Sequence, residues 1–196
     1  MATLNELIDD VYTVTNRPDL VADTLLAVKK ATLKAHHSDF YAKDLFETGI
    51  QWATPDYIQS LEYRTVVPRW RQLKFLRKYD DTGSTPGDFF TILTPDQTLD
   101  EYGISKENIC YLAGDMIEIR SDTQDQYMLL GCYLHPDITT TGFSSWIALD
   151  HPYLIVYEAA ASLFKTIGFD EQATAMRQEV AEQYSNLRLE LANKGE

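Results

Sequence analysis

The chain has 196 residues, 44% of them hydrophobic and 12% aromatic, with a formal net charge of −13. That content supports one substantial core and excludes wholesale disorder. The acidic balance argues against a sequence-reading nucleic-acid protein, whose binding domain is normally basic. No apolar run nears the roughly eighteen residues that cross a bilayer, and no basic stretch with an apolar core opens the chain, so a cytosol-made protein that neither spans a membrane nor is secreted is expected. Cys110 and Cys132 both lie in apolar surroundings and are expected as reduced, packed thiols.

Periodicity divides the chain into helix, helix, a strand-rich middle, helix, helix. Thr3 and Glu6 form a capping box, and Leu4, Leu7, Ile8, Val11 and Val14 follow at helical spacing. Asn16-Arg17-Pro18 ends that helix, because a residue before proline disfavours the α region. Asp19 is expected to cap the next, with Val21, Leu25, Val28, Thr32 and Ala35 as its buried face, running to about His37. From about Tyr41 to Pro136 the period changes. Strands are predicted over 57–63, 73–76, 89–93, 116–120 and 127–134, with a loop tip at 83–87, a hairpin turn at 121–125 and a single helical turn within 96–103. Helix returns after Asp150 as cap and Pro152 in the first turn, with Tyr153, Val156, Ala160, Leu163 and Ile167 on one face and Gly168 as the stop. Asp170 then caps a last helix carrying Ala173, Met176, Val180, Tyr184, Leu187 and Leu191 on one stripe. There are no internal repeats and no low-complexity linkers.

The expected fold class is α+β: an antiparallel helical bundle from the N- and C-terminal helices (about 3–37 and 150–193), with a β-rich insert (about 41–136), all in one domain spanning 1–196.

Motifs that carry chemistry are missing from the sequence. It holds no Gly-x-x-x-x-Gly-Lys, no Gly-x-Gly-x-x-Gly and no Gly-x-Ser-x-Gly. His36 and His37 point about 100° apart on a helix and do not close on one metal even with Asp39 nearby. They read as helix-end histidines favoured by the dipole, and His135 and His151, each before a proline, as loop residues. The acid pairs Asp9-Asp10, Asp80-Asp81 and Asp100-Glu101 read as solvated charge rather than the facing carboxylates of a glycosidase. No catalytic residue, cofactor or metal is expected.

One segment departs from the acidic background. Between Arg64 and Lys78 stand six basic residues, Arg64, Arg69, Arg71, Lys74, Arg77 and Lys78, and no acid. Trp70 and Phe75 are interleaved with them. Arg64, Arg69, Trp70, Arg71, Lys74 and Arg77 are the candidate subunit-interface residues: arginine pairs bidentately with a neighbour's carboxylates and tryptophan serves as an anchor. A solvated strand face and a patch facing DNA are the other two readings.

A set of residues resembles the head-to-tail adaptors, or connector and neck proteins, of tailed bacteriophages. It comprises Tyr133-Leu134-His135-Pro136, Ser144-Ser145-Trp146, His151-Pro152, Tyr157-Glu158-Ala159-Ala160-Ala161 and Gly168. Arg17-Pro18-Asp19-Leu20, the helix to His36-His37, Pro68-Arg69-Trp70-Arg71 and Asp100-Glu101-Tyr102-Gly103 extend the likeness over most of the chain. The resemblance implies helices bracketing a β-rich insert and a homo-oligomeric ring, commonly of twelve copies. Its implied partners are the portal protein on one side and a tail or nozzle protein on the other, with double-stranded DNA passing through without sequence-specific binding. It implies no catalysis, and a place in the neck of the virion after synthesis in the host cytoplasm. Some members dock through a tail beyond the last helix; here only about 193–196 follow, so docking is expected from the last helix or the middle segment. The alternatives are a virion-associated cell-wall glycan hydrolase and a non-viral interaction protein.

Overall fold

The computed structural model describes residues 3–80, 83–94, 97 and 106–194. The fold is mixed α+β, 45% helical and 27% strand, with N-terminal helices, a β-rich middle and C-terminal helices. It divides into two compact units, one from Met1–Asp44 and His135–Glu196, the other from Leu45–Leu134.

In the first unit α1 (Leu4–Thr15) starts on the predicted capping box: Glu6 N donates to Thr3 Oγ1 at 3.2 Å and Thr3 N to Glu6 Oε2 at 2.6 Å. Asn16 ends it in the left-handed region at φ 52. α2 (Val21–His37) begins without a side-chain cap, because Asp19 is held by Arg17 through two bonds of 2.8 and 2.7 Å. Its buried face is Thr24, Ala27, Val28, Ala31, Thr32, Ala35 and His36, rotated from the expected one so that Val21 is exposed. A 3₁₀ turn, Ala42–Asp44, closes this part of the chain.

A short helix, α4 (Trp146–Asp150), precedes α5 (Pro152–Thr166). Asp150 therefore ends one helix instead of capping the next, and its carboxylate takes Lys43 at 2.9 Å. α5 is buried on nearly every side: Leu154, Ile155, Val156, Ala159, Ala160, Ala161, Leu163 and Phe164 are shut in, while Tyr153, expected in the core, is exposed. The alanines keep α5 thin enough to be packed by α1, α2 and α4 as well as by α6 (Asp170–Lys194). Its end is a Schellman motif, with Gly168 at φ +82, Gly168 N bonded to Lys165 O and Phe169 N to Phe164 O. On α6, Ala173, Val180 and Leu187 are buried and Met176, Tyr184 and Leu191 pack partly against the core, the stripe that the spacing predicts.

The second unit is a β-sandwich. One sheet runs β1 (Leu45–Gln51), β8 (Tyr127–Leu134), β3 (Trp70–Tyr79), β4 (Pro86–Phe89), antiparallel throughout. The other runs β2 (Ile58–Glu62), β7 (Met116–Arg120), β6 (Ile109–Ala113), β5 (Thr91–Ile92), with β5 parallel to β6. Between β2 and β3 lies one helical turn, α3 (Tyr63–Val66). Ile50, Leu73, Leu76, Met128, Leu130 and Cys132 from the first sheet meet Leu61, Cys110, Ile117 and Ile119 from the second.

Three expectations change here. The run 89–93 is two strands in different sheets, split where Phe90 turns into the core. The 121–126 connection joins strands of opposite sheets, so it is a crossover rather than a hairpin turn. β1 and β6 were not among the expected strands. The helical turn expected within 96–103 lies outside the described residues, Gln97 apart. Both cysteines are free and buried; burial pushes the Cys110 thiol up to about 12 and that of Cys132 to about 11.

Candidate functional site

The basic candidates are strung along one strand and its approach. From Trp70 to Arg77 the chain rises about 23 Å at ~3.3 Å per residue, so they form a stripe rather than one cluster. Two register irregularities in β3, between Trp70 and Gln72 and between Leu73 and Phe75, break its alternation. Leu73 and Leu76 thereby both face the core.

Much of the stripe's charge is committed inside its own unit. Arg64, on α3, pairs with Asp115 in the β6–β7 turn at 2.8 Å. Trp70 is half-buried, its ring 4.4 Å from that of Tyr63, so it anchors this chain's own core. Arg69 is exposed and Arg71 half-buried. Lys74 is exposed and lies 5.8 Å over the Tyr133 ring. Arg77 donates from Nε to Gly87 O at 2.7 Å and covers the Phe89 ring at 4.7 Å. Lys78 turns inward, its side chain 13% exposed, and is held by Asp122, by Thr123 Oγ1 at 3.1 Å and by Asp125 at 3.7 Å. The Lys78 hydrogen bond pulls the Asp122 carboxyl down to about 2.

A second constellation has no counterpart among the sequence expectations. His36, read as a helix-end histidine, is 1% exposed. It lies four residues after Thr32, on the buried stripe of α2, and that spacing was the available signal. Its Nδ1 is 2.9 and 3.0 Å from the two Asp44 oxygens and its Nε2 is 2.9 Å from Ser145 Oγ. Trp146 Nε1 donates to Asp44 at 2.8 Å, and Ser145 Oγ accepts the Ala148 N–H at 3.0 Å as the cap of α4. A carboxylate only accepts, so Nδ1 carries a proton toward Asp44. Ser145, already accepting from Ala148, has its own proton to give to Nε2. Tyr41 meets the edge of Trp146 at 5.1 Å and Lys43 covers the indole face at 4.7 Å. The network ties the end of α2, the 42–44 turn and α4 into one piece.

Asp44, His36 and Ser145 stand in the connectivity of a nucleophilic triad. Ser145 also lines an open cleft of about 610 Å³ with Thr3, Asn5, Phe143, Trp146 and Leu149. The helix cap holds the same hydroxyl, and the imidazole is sealed from solvent, which suits a brace better than a nucleophile.

His37 Nε2 lies 3.0 Å from His135 Nδ1, and His151 Nε2 lies 3.2 Å from Glu190. Among the described residues no group of three or more His, Cys, Asp or Glu is placed to hold a metal ion, and no helix is long and apolar enough to cross a membrane. No protein-family model matches the chain, and no curated protein is significantly similar to it.

Proposed function

We propose that the chain is a structural adaptor subunit of a tailed-phage virion, one copy in a closed ring between the portal protein and the next tail or nozzle component. The observation that carries this reading is the division of the fold. Both chain ends supply the helices of one unit while the whole middle forms a separate sandwich, the layout that the adaptor resemblance implies. In this reading α1, α2, α5 and α6 form an antiparallel bundle and the two units act as one subunit without catalysis. A ring makes weak contacts count, because each repeats at high effective concentration. The −13 charge suits a lumen that double-stranded DNA slides through, since carboxylates repel phosphates. Arg69, Arg71 and Lys74 are the stripe residues proposed to face a neighbour. Electron microscopy of native particles with the chain tagged tests the reading: a ring of tags at the neck supports it, and label elsewhere or none on the particle refutes it.

A hydrolytic reading draws on one observation, the Asp44–His36–Ser145 order beside the cleft. It ranks second because the Ser145 hydroxyl is engaged in the helix cap. Labelling of Ser145 by a fluorophosphonate, lost in His36→Gln, would promote it.

A further inference from the structure

We infer that copies of the chain join head to tail through the edges of one sheet, β4 of one copy adding antiparallel to β1 of the next. This deepens the ring reading and rests on it for closure.

The first sheet has four antiparallel strands, so its two edge strands, β1 and β4, run in opposite directions. Placing β4 beside the β1 of another copy therefore continues the antiparallel order. β1 is an edge with little protection: seven residues in unbroken register, no proline, no bulge and one charge, Glu47.

The open hydrogen-bonding groups match. Trp52 N donates to Gln126 O in the register of β1 on β8, so Phe46, Thr48 and Ile50 turn their backbone groups toward β8, and Glu47, Gly49 and Gln51 turn theirs to the open side. Phe90 N donates to Leu76 O, so Phe89, one residue earlier, presents its N–H and C=O to the open side of β4. Pro86 has no N–H to give, which puts the pairing at the Phe89 end of the strand.

The side chains match as well. Gly49, Leu129, Arg77 and Phe89 are paired in register across the four strands, so they form one row on the outer face, with a glycine at one end and an exposed phenylalanine at the other. Within the sheet the other outer-face glycine, Gly131, is covered by the Phe75 ring, which stands where a Cβ would be. Gly49 has no such cover: among the described residues nothing lies within 4 Å of its Cβ position, and the hollow there, about 390 Å³, is bordered by Tyr79, Tyr127 and Leu129. A strand glycine marks a bulge, a bend or a close approach of another backbone, and the unbroken register of β1 removes the bulge. Phe89 of the next copy fills it as Phe75 fills Gly131. The charges agree, since Arg77 lies on Phe89, and Glu47 is two residues from Gly49 on the same face. The two patches differ, so the contact is heterologous and repeats until the ring closes.

Two variants of the full-length chain test it by sedimentation velocity on concentrated protein. Gly49→Leu fills the hollow, with open space to receive it, and Phe89→Ala removes the exposed ring. Wild type is expected to form chains or rings. Each variant alone is expected to stay monomeric with unchanged circular dichroism. An equimolar mixture is expected to stop at the dimer, because only the intact β4 of one variant and the intact β1 of the other can pair. A monomeric wild type, variants that assemble normally, or a mixture that gains nothing would each overturn the interface. A tagged neck ring beside unaffected variants would remove this interface and leave the adaptor reading standing. The expected mixing pattern without a neck ring would do the reverse.

Discussion

His36→Ala separates a brace from a solvated helix end. The substitution takes from Asp44, whose side chain is 5% exposed, the donor at 2.9 Å, while Trp146 Nε1 still donates to that carboxylate. A hydrogen bond to a charged group contributes about 1.5–3 kcal/mol and a neutral one, as at Ser145, about 0.5–1.5 kcal/mol. With a ring-sized space left in the core, the two lost bonds and the cavity together should cost about 3–5 kcal/mol. Two conservative variants divide the total. His36→Asn keeps a donor near the Nδ1 position and should lose about 1–2 kcal/mol, chiefly the Ser145 bond. His36→Gln reaches toward Ser145 but abandons Asp44, and should fall nearer to alanine. The assay is urea unfolding of the full-length chain followed by Trp146 emission, in a background where Trp52 and Trp70 are phenylalanine, so that only the helical unit reports. An alanine variant within about 0.5 kcal/mol of its parent, the size typical of a surface substitution, would refute the network as a structural element.

Other expectations follow from the sandwich. Gly131→Ala places a methyl 2.3–2.7 Å from Phe75 ring atoms and should destabilise by about 1–3 kcal/mol, with Phe75→Leu restoring part of the loss in the double variant; additive losses in chemical denaturation would contradict the packing. Cys110 and Cys132, with thiols pushed up to about 12 and about 11, should resist a thiol reagent at pH 8 until urea unfolds the sandwich, and two fast-reacting thiols in the native protein would disprove their burial. Asp122 is held at about 2 in the folded chain against 3.8 ordinarily, so its contribution is fully present above about pH 4 and fades as pH falls toward 2. Lys78→Met should flatten that acid limb in stability measurements, and an unchanged limb would show that Lys78 is not the cause.

What the sequence determined by itself was local. The capping box of α1, the Gly168 stop and the buried stripe of α6 depend on residues within one or two turns of each other, and they stand where the spacing puts them. The division into terminal helices and a β-rich middle was legible for the same reason, since the period of the apolar residues changes near 41 and again near 136. The tertiary structure alone decided the rest. Asp150 is a good cap in isolation, but a distant lysine holds it elsewhere. The faces of α2 and α5 were fixed by how many neighbours pack around each helix, which leaves Val21 and Tyr153 outside. Strand pairing is non-local, so neither the assignment of β7 and β8 to different sheets nor the bulges that steer Lys78 inward has a signature within a short window. His36 reaches Asp44 eight residues on and Ser145 109 residues on; a buried polar network of that kind exists only once the chain has brought its ends together.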